Sequence, residues 1–340
     1  MTVPCHLKLC IIASLASWGM SPEAGAADWR AWTKRLAPVW SGDVIAADPS
    51  VIRDGATFTM SYTCLNTTND KTEICQAKSQ DGYNWDHVNF NAPIRGLILA
   101  PSATGWDPRL ETAAAIRYNG ISYQFFAGIP TPNGMQGKIG RAVFSPSISG
   151  YAKDANPVLA PTPGKYDNDS ALSPEFIQEN NPTYLAMVYA GHCYTNCRGF
   201  SPGVRVLGAW SKDTVNWTKI GRPLLEANGS SYMQSGVGEP AIMRGPDGYY
   251  YLFFTGGLGD GQKQSIGVAR SAAWTGPYMP SAQPIVVAGT GSAFDSKGVL
   301  APTVIYDSER NVVRMWFFGA NAASVLAIGY AEAAWPLVQP

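Results

Sequence analysis

Asp48, Glu111 and Glu239 each begin a short apolar segment of one repeated kind, with Ser173 and Ala301 at the two remaining positions of the series. Carboxylates that recur in this way can be brought to one axis. Like charges held close together destabilise one another unless their pKa values separate or a cation joins them. Separation leaves one ionised carboxylate able to activate water and one protonated carboxyl able to donate to a leaving oxygen, as hydrolysis of a glycosidic bond requires. Bound calcium is the competing function, because carboxylate oxygens suit it. A single acidic residue at a strand start is more simply read as an acceptor for backbone N–H groups. Three around one axis fit that reading poorly.

The elements that position these residues follow from the repeat. The five starting positions lie 63, 62, 66 and 62 residues apart. Each leads into a second, aromatic-rich strand, such as Tyr123-Gln124-Phe125-Phe126 or Tyr250-Tyr251-Leu252-Phe253-Phe254. Asp54-Gly55, Asn119-Gly120 and Asp247-Gly248 sit where tight hairpin turns belong. Third strands are centred on Ala77, Ala142, Ala209, Ala269 and Ala331, and fourth strands begin with an aromatic residue and end near a proline. The fifth unit lacks its fourth strand. The N-terminal run Trp32-Thr33-Lys34-Arg35-Leu36-Ala37-Pro38-Val39 matches Trp217-Thr218-Lys219-Ile220-Gly221-Arg222-Pro223-Leu224 and can supply it. Five four-stranded units closed by a borrowed strand predict an all-β, five-bladed β-propeller spanning residues 27–340 as one domain.

In such blades the connections entering strand one and those joining strands two and three share a face, and here they are the long ones. Function is expected on that face, around the channel mouth. Asp169 lies in a long connection, and Glu175 is two residues past Ser173 on the same side of the strand, so either could add a carboxylate. Trp106, Tyr232 and Phe294, in connections between blades, could stack on sugar rings, with blade-to-blade packing as the competing role. The aromatic-Asp pairs at Asp107, Asp167 and Asp295 recur before three blades and read as a structural turn element.

The chain has 340 residues, of which 25 are Lys or Arg and 25 Asp or Glu, and only 15% are charged. That balance excludes nucleic acid as a partner. Its 35 Gly and 25 Pro fit a turn-dense, strand-rich protein. Residues 1–26 read as a signal peptide, with Lys8, an apolar stretch to about Trp18 and Ala24-Gly25-Ala26 before the cut, so a secreted or periplasmic protein is expected. No later run is apolar and long enough to span a bilayer, so no membrane partner is expected, and the protein is expected to be a monomer. Four cysteines remain in the mature chain. Both candidate pairs lie in equivalent strand two-to-three connections, predicting Cys64–Cys75 and Cys193–Cys197 bridges.

The run Asp48-Pro49-Ser50-Val51-Ile52-Arg53-Asp54-Gly55 resembles the five-bladed glycoside hydrolases of the family 43 type. So do Gly238-Glu239-Pro240-Ala241-Ile242 leading into Tyr249-Tyr250-Tyr251-Leu252, and Val268-Ala269-Arg270-Ser271 followed by Gly276-Pro277-Tyr278. The resemblance implies an inverting hydrolase of a neutral pentose-containing oligo- or polysaccharide (arabinan, D-arabinan or xylan), with Asp48 as general base, Glu239 as general acid and no required cofactor. It departs from the family at two places. Ser173 stands where the third carboxylate usually sits, leaving Glu111 or Asp169 to replace it, and no histidine near Ala301 is available for a central metal. Retaining fructosidases are similar in their blades, but Ala47 replaces the Asn expected before the nucleophile and no Glu-Cys pair occurs. Mannoside phosphorylases need a basic cluster, for which only the scattered Arg109, Arg198, Arg205 and Lys263 are available. A non-catalytic glycan-binding propeller would keep the aromatics without needing the acid–base pair.

Overall fold

Five antiparallel sheets form the blades of a propeller in the computed structural model, four built on strands successive in sequence and the fifth completed by an N-terminal strand; the structure describes residues 29–338 apart from 43, 89–94, 131–134, 179–182, 259–262 and 324–325. The expected leader, residues 1–26, lies outside the described residues. The innermost strands are Ala47–Asp54, Leu110–Tyr118, Ser170–Phe176, Val237–Arg244 and Gly298–Asp307. Thr33–Lys34 pairs with Leu326–Ala334 as the outermost strand of the fifth blade, so the N-terminal segment closes the ring as its likeness to residues 217–224 predicts. No helix of the described residues is long and apolar enough to cross a membrane.

The alternating side chains of each strand serve two neighbours, because both faces of a blade are covered. Five large apolar clusters accordingly lie between adjacent blades. One joins Phe125 to Phe176 and Met187, another Val188 to Leu252 and Phe254, and another Met60 and Tyr62 to Trp316 and Tyr330. Outer strands are short, and four of them lead, four residues on, to a proline, which cannot donate to the ladder. Beyond Pro38, Pro157, Pro223 and Pro284 the chain touches strand three again through single bridges, Trp40 to Ile328, Leu159 to Ile139, Leu225 to Val206 and Val286 to Ile266. In blade 1 the same contact grows into an unforeseen strand, Leu97–Leu99, paired with Lys71–Ser79.

The aromatic-Asp repeat has a physical role that composition did not reveal. Asp107, Asp167 and Asp295 are buried and each meets a lysine from strand four, Lys153 at 2.6 Å, Lys219 at 2.5 Å and Lys34 at 2.5 Å. The third pair ties the borrowed N-terminal strand to the entrance of the last blade, adding an ionic latch to ring closure.

Both predicted disulfides are present, Cys64–Cys75 and Cys193–Cys197. The first connects two paired strands rather than bracketing a long loop, since Thr57–Asn66 and Lys71–Ser79 extend the hairpin past both cysteines.

Candidate active site

Every innermost strand slips register by one residue at the same height, between Ala47 and Ser50, Glu111 and Ala114, Leu172 and Glu175, Gly238 and Ala241, and Leu300 and Thr303. Such a bulge re-aims a side chain. Inside each bulge one non-glycine residue has left-handed backbone: Asp48 (φ 49°), Thr112 (48°), Ser173 (51°), Glu239 (46°) and Ala301 (45°). This conformation is unusual for side-chain-bearing residues, most of all for a β-branched one such as Thr112, and such strain gathers at functional sites.

The five-fold position in blade 2 is therefore Thr112, and the placement of Glu111 in that series is corrected by one residue. Proline follows the left-handed residue in four blades, at Pro49, Pro174, Pro240 and Pro302, whereas Ala113 follows it in blade 2. Without that proline the acidic residue looks like the natural equivalent.

Asp48 and Glu239 line one cleft at the channel, together with Thr112, Ser173, Glu175 and Ala301, around an open space of about 20 Å³. A space of that size holds about one water molecule. Around the ring, blade 5 separates blades 4 and 1, so the small Ala301 occupies the position between Glu239 and Asp48. Burial, then the charges of Glu239 and Glu111, push the Asp48 carboxyl up to about 7, against hydrogen bonds from the Thr63 hydroxyl and the Thr112 amide. Glu239 is also raised, first by burial and further by Glu111, against hydrogen bonds from Thr255 and the Ala301 amide. Glu111 is itself raised by burial, while its bond from Thr72 and the charge of Arg109 act the other way. Although Glu111 is not the five-fold equivalent, its charge reaches both Asp48 and Glu239.

Two threonines absent from the sequence reading complete the site. Thr63 donates to Asp48 Oδ2 at 2.9 Å and accepts from the Thr112 amide at 3.0 Å. Thr255 donates to Glu239 Oε2 at 2.7 Å and accepts from the Ala301 amide at 2.9 Å. Each ends an aromatic second-strand run, Tyr62-Thr63 and Phe254-Thr255, and that context was the available signal.

The two further carboxyl candidates part company. Glu175 lines the cleft two residues beyond Ser173, where burial pushes it up to about 8 against bonds from the Phe176 amide and Ser50. It is a neutral acid at neutral pH. Asp169 instead fastens the Cys193–Cys197 loop, accepting from the amides of Tyr194 and Thr195, the Thr195 hydroxyl and the Asn168 side chain. Those bonds outweigh burial and hold its carboxyl below the ordinary value. It does not line the cleft with Asp48 and Glu239.

Trp106, Tyr232 and Phe294 pack against the blades, the competing role weighed for them above. Each stacks on an aromatic of its own second strand, Phe126, Phe254 and Phe317 respectively. Tyr232 and Phe294 are buried, and Tyr232 spends its hydroxyl on the Ser281 carbonyl. Trp106 donates to the Ala155 carbonyl. Glycines at 140, 267 and 329 make room for the three rings, since a Cβ at each would collide with the ring beside it. Among the described residues no group of three or more His, Cys, Asp and Glu side chains is arranged to hold a metal ion.

Solved structures with this architecture are numerous. An exo-1,5-α-L-arabinanase from a bovine ruminal metagenomic library superposes with a TM-score of 0.61 at 16% identity, over 90% of this chain and 99% of that one. A family-43 endo-arabinanase from Bacillus licheniformis gives 0.57 at 21% identity, over 85% and 94%. A member of the family-130 mannoside phosphorylases, described as containing hydrolases of β-1,2 mannosidic linkages in Candida mannan, gives 0.63 at 14%, over 94% and 98%. The fold is that of the five-bladed glycoside hydrolases. No protein-family model and no curated protein matches the chain. At these identities the likeness carries the fold, and the chemistry rests on the residues in the cleft.

Proposed function

We propose that the protein is a secreted glycosidase that cleaves a neutral pentose-containing glycan with inversion. The observation that carries this reading is the placement of Asp48 and Glu239 at equivalent bulges of one cleft, both raised in pKa, with Glu111 acting on each. Because ionising one carboxyl hinders ionisation of the other, the pair releases its protons in separate steps, and the reaction proceeds from the form in which Asp48 is ionised and Glu239 holds the proton. Asp48 deprotonates the water that attacks the anomeric carbon, and Glu239 protonates the departing oxygen, the roles that the family-43 resemblance implies. One water is consumed, and the proton taken by Asp48 is later exchanged to restore Glu239. Glu111 is the tuning carboxylate, in place of one at Ser173. Arabinan is the substrate favoured by likeness to the two arabinanases. The paired cysteines suit the oxidising compartment to which the leader would deliver the chain.

The test is a screen of L-arabinan, D-arabinan, xylan and levan for new reducing sugar, with NMR of the first-formed anomer. Release from a pentosan with inverted configuration is expected. Binding without release would leave a glycan-binding propeller, and release from levan with retention would favour the fructan reading.

A further inference from the structure

The residue on strand two opposite the one preceding the left-handed position is Thr63 in blade 1, Ala127 in blade 2, Ala190 in blade 3, Thr255 in blade 4 and Phe318 in blade 5. A hydroxyl thus occurs at this place only in the two blades whose left-handed residue is a carboxylate. Both threonines are buried, at 3% and 0% exposure, so neither bond competes with solvent.

A hydroxyl has one proton. In each case the amide of the next blade's left-handed residue occupies a lone pair of the oxygen, Thr112 N on Thr63 and Ala301 N on Thr255. The hydroxyl proton is thereby aimed at the carboxylate, and the carboxylate is tied through it to the neighbouring blade. A donor fixed on a carboxylate favours its ionised form and restricts its rotation.

We infer that Thr63 and Thr255 are a matched pair of positioning residues, Thr63 holding the base Asp48 and Thr255 holding the acid Glu239, each in the geometry and protonation balance the reaction needs. The inference rests on the glycosidase reading and adds how the two carboxyls are kept distinct. The other groups acting on Asp48 are Glu239, Glu111 and the Thr112 amide, and those on Glu239 are Glu111 and the Ala301 amide. Glu175 lines the same cleft, and Arg109 acts on Glu111. The charged groups are shared by both variants, and each amide, Thr112 N or Ala301 N, loses the threonine oxygen but keeps its bond to the carboxylate. A threonine replacement should therefore act mainly on its own carboxyl.

The test uses Thr63→Val and Thr255→Val, which keep the side-chain shape, with Thr63→Ser and Thr255→Ser as rescue variants. Against the bell-shaped kcat/KM profile of the wild type, each valine variant should move one limb upward by roughly one pH unit, Thr63→Val the limb set by Asp48 and Thr255→Val the limb set by Glu239. kcat should fall about tenfold in each with smaller change in KM, and serine should restore both limbs. Unmoved limbs, or serine variants no better than valine, would overturn the inference while leaving the glycosidase reading intact. A wild type that releases no sugar would overturn that reading. Carboxyl NMR titration of the free protein then still decides the positioning role. Thr63→Val must raise the Asp48 midpoint more than that of Glu239, Thr255→Val the reverse, and unchanged midpoints contradict it.

Discussion

Two sets of carboxylates recur around this ring, and they are treated in opposite ways. Asp107, Asp167 and Asp295, at the entrances to three blades, are buried beside Lys153, Lys219 and Lys34. Asp48 and Glu239, in the central cleft, meet hydroxyls, amides and other carboxylates. A buried acid paired with a cation contributes to architecture, although desolvation leaves such pairs modest in net stabilisation. A carboxyl denied a cation resists ionisation and comes to titrate where proton transfer is useful. Recurrence alone did not distinguish the sets. The lysines did.

The comparison can be broken from either side. The largest effect belongs to the cleft: Asp48→Asn and Glu239→Gln should each lower turnover by at least about 10³-fold while thermal unfolding stays close to that of the wild type. Retained turnover in either would remove its carboxyl from the chemistry. Next comes the blade entrance. Lys219→Met leaves Asp167 buried without its partner and should lower unfolding free energy in denaturant titration by about 2–3 kcal/mol, toward the lower end for a buried pair because Lys219 is 24% exposed. Activity per folded molecule should be unchanged, and a catalytic loss without destabilisation would erase the distinction.

Smaller still is a pH effect at Glu175. Its folded pKa of about 8 lies above the ordinary carboxyl value of 4.5, so the folded state holds a proton that the unfolded chain has released. The stability this gives is fully present below the unfolded pKa and is lost as pH rises through 8. Glu175→Gln, neutral at every pH, should match the wild type near pH 4 and exceed it by on the order of 2 kcal/mol at pH 9 in denaturant midpoints. An equal gap at both pH values would mean that Glu175 is ionised in the fold.

Much of the architecture was legible because each blade restates it. Aromatic second strands, Asp-Gly turns and the likeness of residues 32–39 to 217–224 all reflect local preferences sampled several times. Asp48 and Glu239 were legible through the proline that follows each. Glu111 was misplaced by one position because Ala113 interrupts that signal, and left-handed backbone has no signature of its own at a threonine. For Trp106, Tyr232 and Phe294 sugar stacking and blade packing both stayed open, because stacking on substrate and stacking on Phe126, Phe254 or Phe317 demand the same residue type. Thr63 and Thr255 were hidden for a related reason: threonine is an ordinary strand residue, and only the register that sets each hydroxyl against a carboxylate gives it a role.

The most direct test of the contrast is the pH titration of the Asp48 side-chain carboxyl, followed by carbon NMR in the ligand-free protein with Asp48→Asn as the assignment control. A midpoint near 7 is expected, set by burial and by the charges of Glu239 and Glu111. A midpoint near the ordinary 3.8 would mean that neither burial nor the charges of Glu239 and Glu111 act on Asp48, and the coupling of the cleft carboxyls would be contradicted.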